Sequence, residues 1–439
     1  MGRFGHVILI SLCAATPALA ELPPPITADD YPPVDPLQAE LGRLLFHDKL
    51  ISGNRDISCA TCHSLDHGGT DGISLGIGSG GLGLGPMRAA EDGTRRIKQR
   101  IPRNAPALWN LAHKEVHTVF HDGRLSVSDA FAAGFDSPVD ERLPEGLKNV
   151  LAAQAVFPMV AADEMAGHPG ENDIGVAIEQ HVVEGWPIIL DRIRANQEYA
   201  ALFLGCFDHI ETPADIRITD VANALATFMQ VEWTSFDSPF DAYLAGDAEA
   251  LDADEKRGMA LFFGEANCAT CHSGPLFTDQ SFHAIGVPQF GPGRTRAFDP
   301  IPRDVGRMGE TDRIEDAYRF KTPALRNVAL TAPYGHNGAY PTLRSMVEHH
   351  LDPDAALAAW TPLMAELPSA PWVEETDFVI WQDTREMARQ AAARDIEPVD
   401  LSAQDVSDLV AFLQALTGES AEEPRLGRPA RVPSGLPID

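Results

Sequence analysis

Positive charge and long apolar segments are what this sequence has least of. Its 439 residues include 34 lysines and arginines against 64 aspartates and glutamates, which gives a formal net charge of −30. So acidic a chain makes nucleic acid and anionic membrane surfaces poor partners. The negative charge serves either to attract a small basic electron carrier or only to keep the protein soluble. Because no apolar run is long enough to cross a bilayer, no membrane span is predicted.

The first twenty residues have the pattern of an export signal. Arg3 precedes an apolar run from Val7 to Ala15, and small residues lead up to Ala20. This pattern is typical of a secretory signal peptide, so we predict cleavage after Ala20 and a periplasmic location.

Cysteine is also scarce, with six in the whole chain. Cys13 lies in the signal peptide, four others form two tight pairs, and Cys206 stands alone. We expect Cys206 to be a buried apolar thiol.

The chain contains an internal repeat. The string Cys-Ala-Thr-Cys-His-Ser occurs at residues 59–64 and again at 268–273, each time after a Gly-x-x-Leu-Phe segment at 42–46 or 258–262. Residues 106–112 and 323–329 are a further similar pair. The repeat predicts a mainly α fold of two tandem cytochrome c-like domains, residues 21–236 and 237–418, with long loops.

Three local predictions complete the fold. A helix is expected after Ser402, with Val406 and Leu409 on its apolar stripe, and another from about Val221 to Trp233 with Thr219 as its cap. The glycine-rich residues 68–85 are expected to form a loop. Residues 419–439 show no apolar period, so they are predicted to be disordered.

The paired motifs indicate two covalently bound haems. In Cys-x-x-Cys-His the two thiols can form thioethers to a haem, and the adjoining histidine can bind its iron. The predicted attachment and ligand residues are Cys59, Cys62 and His63 for one haem and Cys268, Cys271 and His272 for the other. A four-thiolate zinc site is the alternative.

With these residues in place, the chain resembles the bacterial di-haem cytochrome c peroxidase and MauG superfamily. The segments that carry the resemblance are residues 41–46, 103–106, 120–124, 273–279 and 322–327. The resemblance implies a peroxide-reacting haem in the N-terminal domain and an electron-relay haem in the C-terminal domain. It also implies that Glu164 assists cleavage of the peroxide O–O bond and that Gln154 donates a hydrogen bond in the same pocket.

The sequence departs from the peroxidase pattern near the first haem. Where many of these peroxidases have a distal histidine in a short glycine loop, this chain has Ser79. The first haem is therefore predicted to be open to peroxide, as in MauG-like members, unless His67 or His117 takes the ligand position. The tryptophan expected between the haems is replaced by His121, and Trp109 is either an alternative electron path or core packing.

Two further site predictions follow from the resemblance. Counting along the second domain places His350 as the second ligand of the C-terminal haem iron, with His349 as the alternative. A calcium ion is expected between the domains, held by the side chain of Asn104 and the backbone carbonyls of Thr331 and Pro333.

These features leave three hypotheses for function. The first is an enzyme that uses hydrogen peroxide to oxidise side chains of a partner protein, as MauG- or MbnH-like members do. The second is an ordinary peroxidase that takes electrons from a small cytochrome c or cupredoxin. The third is a di-haem electron carrier without peroxide chemistry.

Overall fold

The computed structural model describes residues 21–296, 299 and 301–439. The predicted signal peptide lies outside the described residues. The fold is mainly helical, as predicted. Its α-helices are α1 Pro36–His47, α2 Cys59–Cys62, α3 Val150–Ala155, α4 Asp173–Ala177, α5 Gly185–Ala195, α6 Gln197–Cys206, α7 Ile218–Glu232, α8 Pro239–Leu244, α9 Ala253–Phe262, α10 Met308–Thr311, α11 Leu343–Leu351, α12 Pro353–Ala359, α13 Pro371–Glu374, α14 Thr384–Ala393 and α15 Ala403–Gln414.

Extended structure is limited to short antiparallel ladders. The strands are β1 Gly81–Leu82, β2 Ala89–Ala90, β3 Thr118–Val119, β4 Leu125–Val127, β5 Phe135–Asp136, β6 Phe282–His283 and β7 Phe320–Lys321. They pair as β1 with β2, β3 with β4 and β5, and β6 with β7. The rest of the described chain consists of loops and single helical turns, including the glycine-rich segment 68–80.

Two helix pairs repeat one packing arrangement. A Cβ built on Gly42 of α1 would lie 1.9 Å from the carbonyl oxygen of Ala224 on α7, and one built on Gly258 of α9 would lie 1.9 Å from that of Asp408 on α15. Only glycine permits so close an approach of two helix backbones. The repeated Gly-x-x-Leu-Phe segment therefore encodes the same close helix crossing twice.

Each helix pair belongs to its own large hydrophobic core. The first core is built from residues between Leu41 and Trp233, and the second from residues between Phe240 and Leu416, with Leu75 added from the glycine-rich loop. Leu75 enters the second core because the loop crosses from one half of the chain to the other.

Buried ion pairs and main-chain hydrogen bonds join the two halves. The Arg103 guanidinium forms a bidentate ion pair with the Asp304 carboxylate at 2.7 and 2.8 Å. It also donates a hydrogen bond to Asp122 at 2.6 Å. The backbone N–H of Lys321 donates to the carbonyl of His121 at 2.8 Å. These contacts fix the first half against the second at the level of β3 and β7.

The two predicted long helices are present, with one shifted start. Ser402 caps α15 by accepting from the backbone of Asp405, as its sequence pattern predicts. The α7 helix begins at Ile218, so Thr219 is its second residue and the prediction of Thr219 as the cap was wrong. Its N-cap is Arg217, whose backbone N–H donates to the Asp220 carboxylate at 2.8 Å.

The C-terminal tail is ordered, which corrects the prediction of disorder. The Glu232 carboxylate accepts from three consecutive backbone N–H groups of residues 425–427 at 2.8 to 3.1 Å. Val432 is 1 % exposed, and Ser434 donates to Asp48 at 2.6 Å. The Asp439 side chain reaches Thr61 in α2. Residues 419–439 therefore form a strap, here called the C-terminal strap, that returns over the first half of the chain.

Within the described part of the chain, no helix combines the length and apolarity needed to cross a membrane.

Candidate haem sites

The first Cys-x-x-Cys-His motif forms the short helix α2. Ser58 caps this helix, and His63 ends it. The Nδ1 of His63 donates to the carbonyl of Gly69 at 2.8 Å. Because this bond fixes the proton on Nδ1, the Nε2 lone pair is left for a metal ion.

A large cavity opens over this motif, with an empty volume of about 1260 Å³ including its mouth. Cys59, Cys62 and His63 line it, and burial raises the pKa of both thiols to about 12. Much of the remaining lining is apolar. Both thiols and the free ring nitrogen thus share a space with apolar walls, which fits a c-type haem.

The predicted peroxide residues lie in the same cavity. Glu164 and Gln154 both line it, together with Pro158 and two arginines, Arg124 and Arg294. Glu164 lies on a π-helical turn, Ala162–Ala166, a conformation that often occurs at functional sites. Burial raises the pKa of Glu164, and the positive charges of Arg124 and Arg294 oppose this rise. Because burial raises its pKa, this carboxyl holds a proton more readily than an exposed glutamate, which suits a group that takes up and returns a proton.

The residues weighed as alternative ligands of the first iron lie elsewhere. Neither His67 nor His117 lines the cavity, and the Nδ1 of His117 contacts the carbonyl of Glu115 at 3.0 Å. Ser79 does not line the cavity either, since its hydroxyl donates to Asp56 at 3.0 Å. Among the described residues, the only lining histidine besides His63 is His121.

His121 lies between the two halves of the structure. Its Nε2 donates to the carbonyl of Asn104 at 3.1 Å, and burial lowers its pKa to about 4, so the ring is neutral. Trp109 is 6 % exposed and packs within the first hydrophobic core. Its surroundings match the core-packing interpretation.

At the second motif, two histidine rings face each other. The ring centroids of His272 and His350 are 6.3 Å apart. Each ring donates from Nδ1 to a backbone carbonyl, His272 to Phe277 at 3.0 Å and His350 to Met346 at 2.9 Å. An iron atom bound by both Nε2 atoms at about 2 Å would separate the centroids by about 6 Å. The observed spacing therefore suits an iron held between these rings.

His349 is already committed to other contacts. Its Nε2 donates to the carbonyl of Ile285 at 2.9 Å, and its Nδ1 accepts from the Tyr340 hydroxyl at 2.8 Å. Because both ring nitrogens are used, His350 is the better candidate for the second iron ligand.

Two of the three candidate calcium residues, Asn104 and Pro333, lie close together where the halves meet. The Asn104 side chain donates from Nδ2 to the carbonyl of Ile73 at 2.7 Å, which leaves Oδ1 as an available ligand. A Cβ built on Gly338 would lie 3.0 Å from both Asn104 Nδ2 and Pro333 Cγ. Asn104 and Pro333 are therefore neighbours, and oxygen ligands suit calcium.

Sequence reasoning missed three residues of the first cavity. Arg124 and Arg294 supply positive charge beside Glu164, although Arg294 lies 130 positions further along the chain. Asp71 also lines the cavity, is 3 % exposed, and burial raises its pKa to about 7. A single acidic residue in a glycine-rich loop gives no signal of burial, so only the structure reveals it.

The structure also bears on the zinc alternative and on Cys206. The four motif cysteines are divided between the two halves, and the only metal-ligand cluster among the described residues is Cys271, Asp279 and His283. The four-thiolate zinc site is therefore not formed. Cys206 is partly buried at the end of α6 and packs against the first hydrophobic core, so the prediction of a buried apolar thiol is confirmed in part.

Comparison with known proteins gives relatives over most of the chain. A family model described as di-haem cytochrome c peroxidase matches residues 36–249. The methylamine utilization protein MauG of Methylorubrum extorquens is 30% identical over 390 residues, covering 89% of this chain and 80% of that protein. The cytochrome c peroxidase Ccp of Escherichia coli is 32% identical over 317 residues, covering 72% of this chain but 53% of the E. coli protein.

The fold also matches a solved structure. A crystal structure of a MauG-like protein associated with microbial copper homeostasis aligns with a TM-score of 0.62 and 27% identity, over 96% of this chain and all of that one. The helical fold and these relatives define an oxidoreductase that uses haem. The chain belongs to the di-haem cytochrome c peroxidase and MauG family.

Proposed function

We propose that this chain is a periplasmic oxidoreductase with two covalently attached c-type haems, one in each of two tandem cytochrome c-like domains, residues 21–236 and 237–418. Hydrogen peroxide reacts at the His63 site, and the His272 site relays electrons. The oxidising equivalents are then used on side chains of a partner protein, as in MauG- or MbnH-like enzymes.

The observation that carries this proposal is the difference between the two histidine sites. His272 faces His350 at a spacing that suits two ligands on one iron. His63 instead faces a cavity that contains Glu164 and Gln154. This difference supports electron transfer at the His272 site and entry of a small oxidant at the His63 site.

A haem held by Cys59, Cys62 and His63 would supply the electrons that cleave the peroxide O–O bond. The Glu164 carboxylate would accept a proton from one peroxide oxygen and return it to the other oxygen, which leaves as water. Gln154 donates a hydrogen bond that orients the peroxide. Arg124 and Arg294 stabilise negative charge that develops as the O–O bond breaks.

The position of Ser79 supports oxidation of a partner protein over simple peroxide removal. Its hydroxyl is bound to Asp56 and the residue does not enter the cavity, so Ser79 would not obstruct the approach of peroxide to a haem held there. We also propose a calcium ion between the domains, bound by Asn104, Thr331 and Pro333.

The first experiment separates an enzyme from an electron carrier. The purified protein should contain two c-type haems per chain in a pyridine haemochrome assay, and its electron paramagnetic resonance spectrum should show one high-spin and one low-spin ferric haem. The high-spin signal should disappear on addition of peroxide. Two low-spin haems that do not react with peroxide would instead identify a carrier.

The second experiment separates peroxidase from partner oxidation. The 32% identity to the E. coli cytochrome c peroxidase makes ordinary peroxide reduction the competing function. With peroxide and reduced cytochrome c, slow turnover and a long-lived oxidised spectrum would support oxidation of a partner protein. Fast turnover would support the peroxidase.

Glu164→Gln tests the assigned proton transfer. We expect the rate of reaction with peroxide to fall by about 100-fold or more, because the amide cannot accept the proton. The control is Glu179→Gln, which changes an exposed acid of the same half. Equal rates for both variants would refute the role of Glu164.

A further inference from the structure

The π-helical turn that carries Glu164 is held from outside by three consecutive hydrogen bonds. The carbonyl of Glu164 accepts from the backbone N–H of Ser79 at 2.7 Å, and that of Met165 accepts from Gly53 at 2.7 Å. The carbonyl of Ala166 accepts from the Asn172 side chain at 2.9 Å. Three separate segments of the chain therefore fix the backbone of this one turn.

A side-chain network connects these segments beneath the turn. Asn54 donates from Nδ2 to the Ser79 hydroxyl at 2.8 Å and to Glu171 at 2.8 Å. Its Oδ1 accepts from Asn172 Nδ2 at 2.8 Å. Asp56 accepts from the same Ser79 hydroxyl at 3.0 Å. Asn54 is thus the residue that joins the Ser79 loop to the segment that follows the turn.

The backbone around the network leaves no room for adjustment. A Cβ on Gly78 would lie 2.1 Å from the carbonyl oxygen of Asp163, and one on Gly53 would lie 1.8 Å from that of Ala166. Gly167, at φ +71°, would place a Cβ 2.8 Å from the side-chain amides of both Asn54 and Asn172. Because the backbones are in contact, a shift of the network displaces the turn and Glu164 with it.

We propose that Asn54 and Ser79 are positioning residues that hold the Glu164 carboxyl in place for proton transfer. This inference rests on the proposed role of Glu164 in the reaction with peroxide. Neither Asn54 nor Ser79 lines the cavity, so both act through the turn. Catalytic rates fall steeply when a reacting group is displaced by even about 1 Å, by up to about 100-fold.

The test is a double-mutant cycle between Asn54→Ala and Glu164→Gln. Alone, Asn54→Ala should slow the reaction with peroxide by about 10- to 100-fold. Added to Glu164→Gln, it should cause no further loss, because the group that it positions is already gone. A purely structural role would lower the rate by the same factor in both backgrounds, and that result would overturn the proposal.

The control variant loses as many hydrogen bonds as Asn54→Ala does, which is three. Asn196→Ala removes three side-chain hydrogen bonds, with the backbone of Glu198, Tyr199 and Pro433, at a site away from the cavity. We expect it to leave the rate with peroxide unchanged. If Asn196→Ala slowed the reaction as much as Asn54→Ala does, the slower rate of Asn54→Ala could not be attributed to displacement of Glu164.

A second variant serves if Asn54→Ala does not bind both haems. Ser79→Ala keeps the backbone bond to Glu164 and removes the hydroxyl, so it should slow the reaction by a smaller factor, and Ser79→Thr should restore it. Wild-type rates in Ser79→Ala would overturn the proposal. A normal rate in Glu164→Gln would instead count against the proposed function itself.

Discussion

Asp71 should make the protein less stable as the pH rises from 5 to 8. Burial raises its pKa from 3.8 to about 7, and its nearest hydrogen bond is a long one, 3.3 Å from the backbone N–H of Ile73. Between these two pKa values the folded protein holds a proton that the unfolded chain has released. The free energy of unfolding therefore falls as the pH rises through this window.

The size of the effect follows from the pKa values. Each pKa unit corresponds to about 1.4 kcal/mol, so the full penalty above pH 7 is about 4 kcal/mol. About 3 kcal/mol of this should develop between pH 5 and pH 8. Asp71→Asn keeps the size of the side chain and removes its titration, so the variant should gain about 3 kcal/mol relative to wild type over this range.

The assay is denaturant unfolding at pH 5 and pH 8, followed by circular dichroism. Asp66→Asn is the control, because Asp66 is exposed in the same region of the chain. The free energy of unfolding of this variant should change between pH 5 and pH 8 by the same amount as that of wild type. If the stability of Asp71→Asn changed with pH as much as that of wild type, the buried carboxyl would not be the cause.

Three further predictions concern the proposed second iron site and the packing. His350→Ala should create a second high-spin ferric signal in the electron paramagnetic resonance spectrum, whereas His349→Gln should keep the low-spin signal; the reverse result would exchange their roles. Gly42→Ala should destabilise the protein by about 3 kcal/mol or more in denaturant unfolding, since its Cβ meets the Ala224 carbonyl. Gly205→Ala, where a helical Cβ meets nothing within 4 Å, should stabilise it by about 0.5 to 1 kcal/mol, and similar effects of the two changes would contradict the packing argument. Ser434→Ala should cost about 1 to 3 kcal/mol, measured the same way, because the buried Asp48 loses its hydroxyl donor.

Features with local causes could be predicted from the sequence. Ser402 caps its helix through a residue only three positions away. The Cys-x-x-Cys-His motifs likewise fix the spacing of the thiols relative to His63 and His272 within five residues. The repeated Gly-x-x-Leu-Phe segments also indicated a duplication, although the close helix crossing that they form is known only from the structure.

Features that depend on distant contacts could not be predicted. His349 and His350 are neighbours on one helix, and only their partners, Tyr340, Ile285 and Met346, show which ring nitrogen is free. The order of the C-terminal strap depends in the same way on a contact that spans about 190 residues, because Glu232 binds backbone amides that carry no sequence signal of their own.

The path of the C-terminal strap has a consequence for how the molecule unfolds. The strap starts beyond the second core, but its contacts are with Glu232, Asp48 and Thr61 of the first half. The strap therefore ties the end of the second half to the first half, in addition to the contacts of Arg103 with Asp304 and of Lys321 with His121. Proteolytic removal of the strap should lower the free energy of unfolding of the first half, because Glu232 and the buried Asp48 then lose their partners.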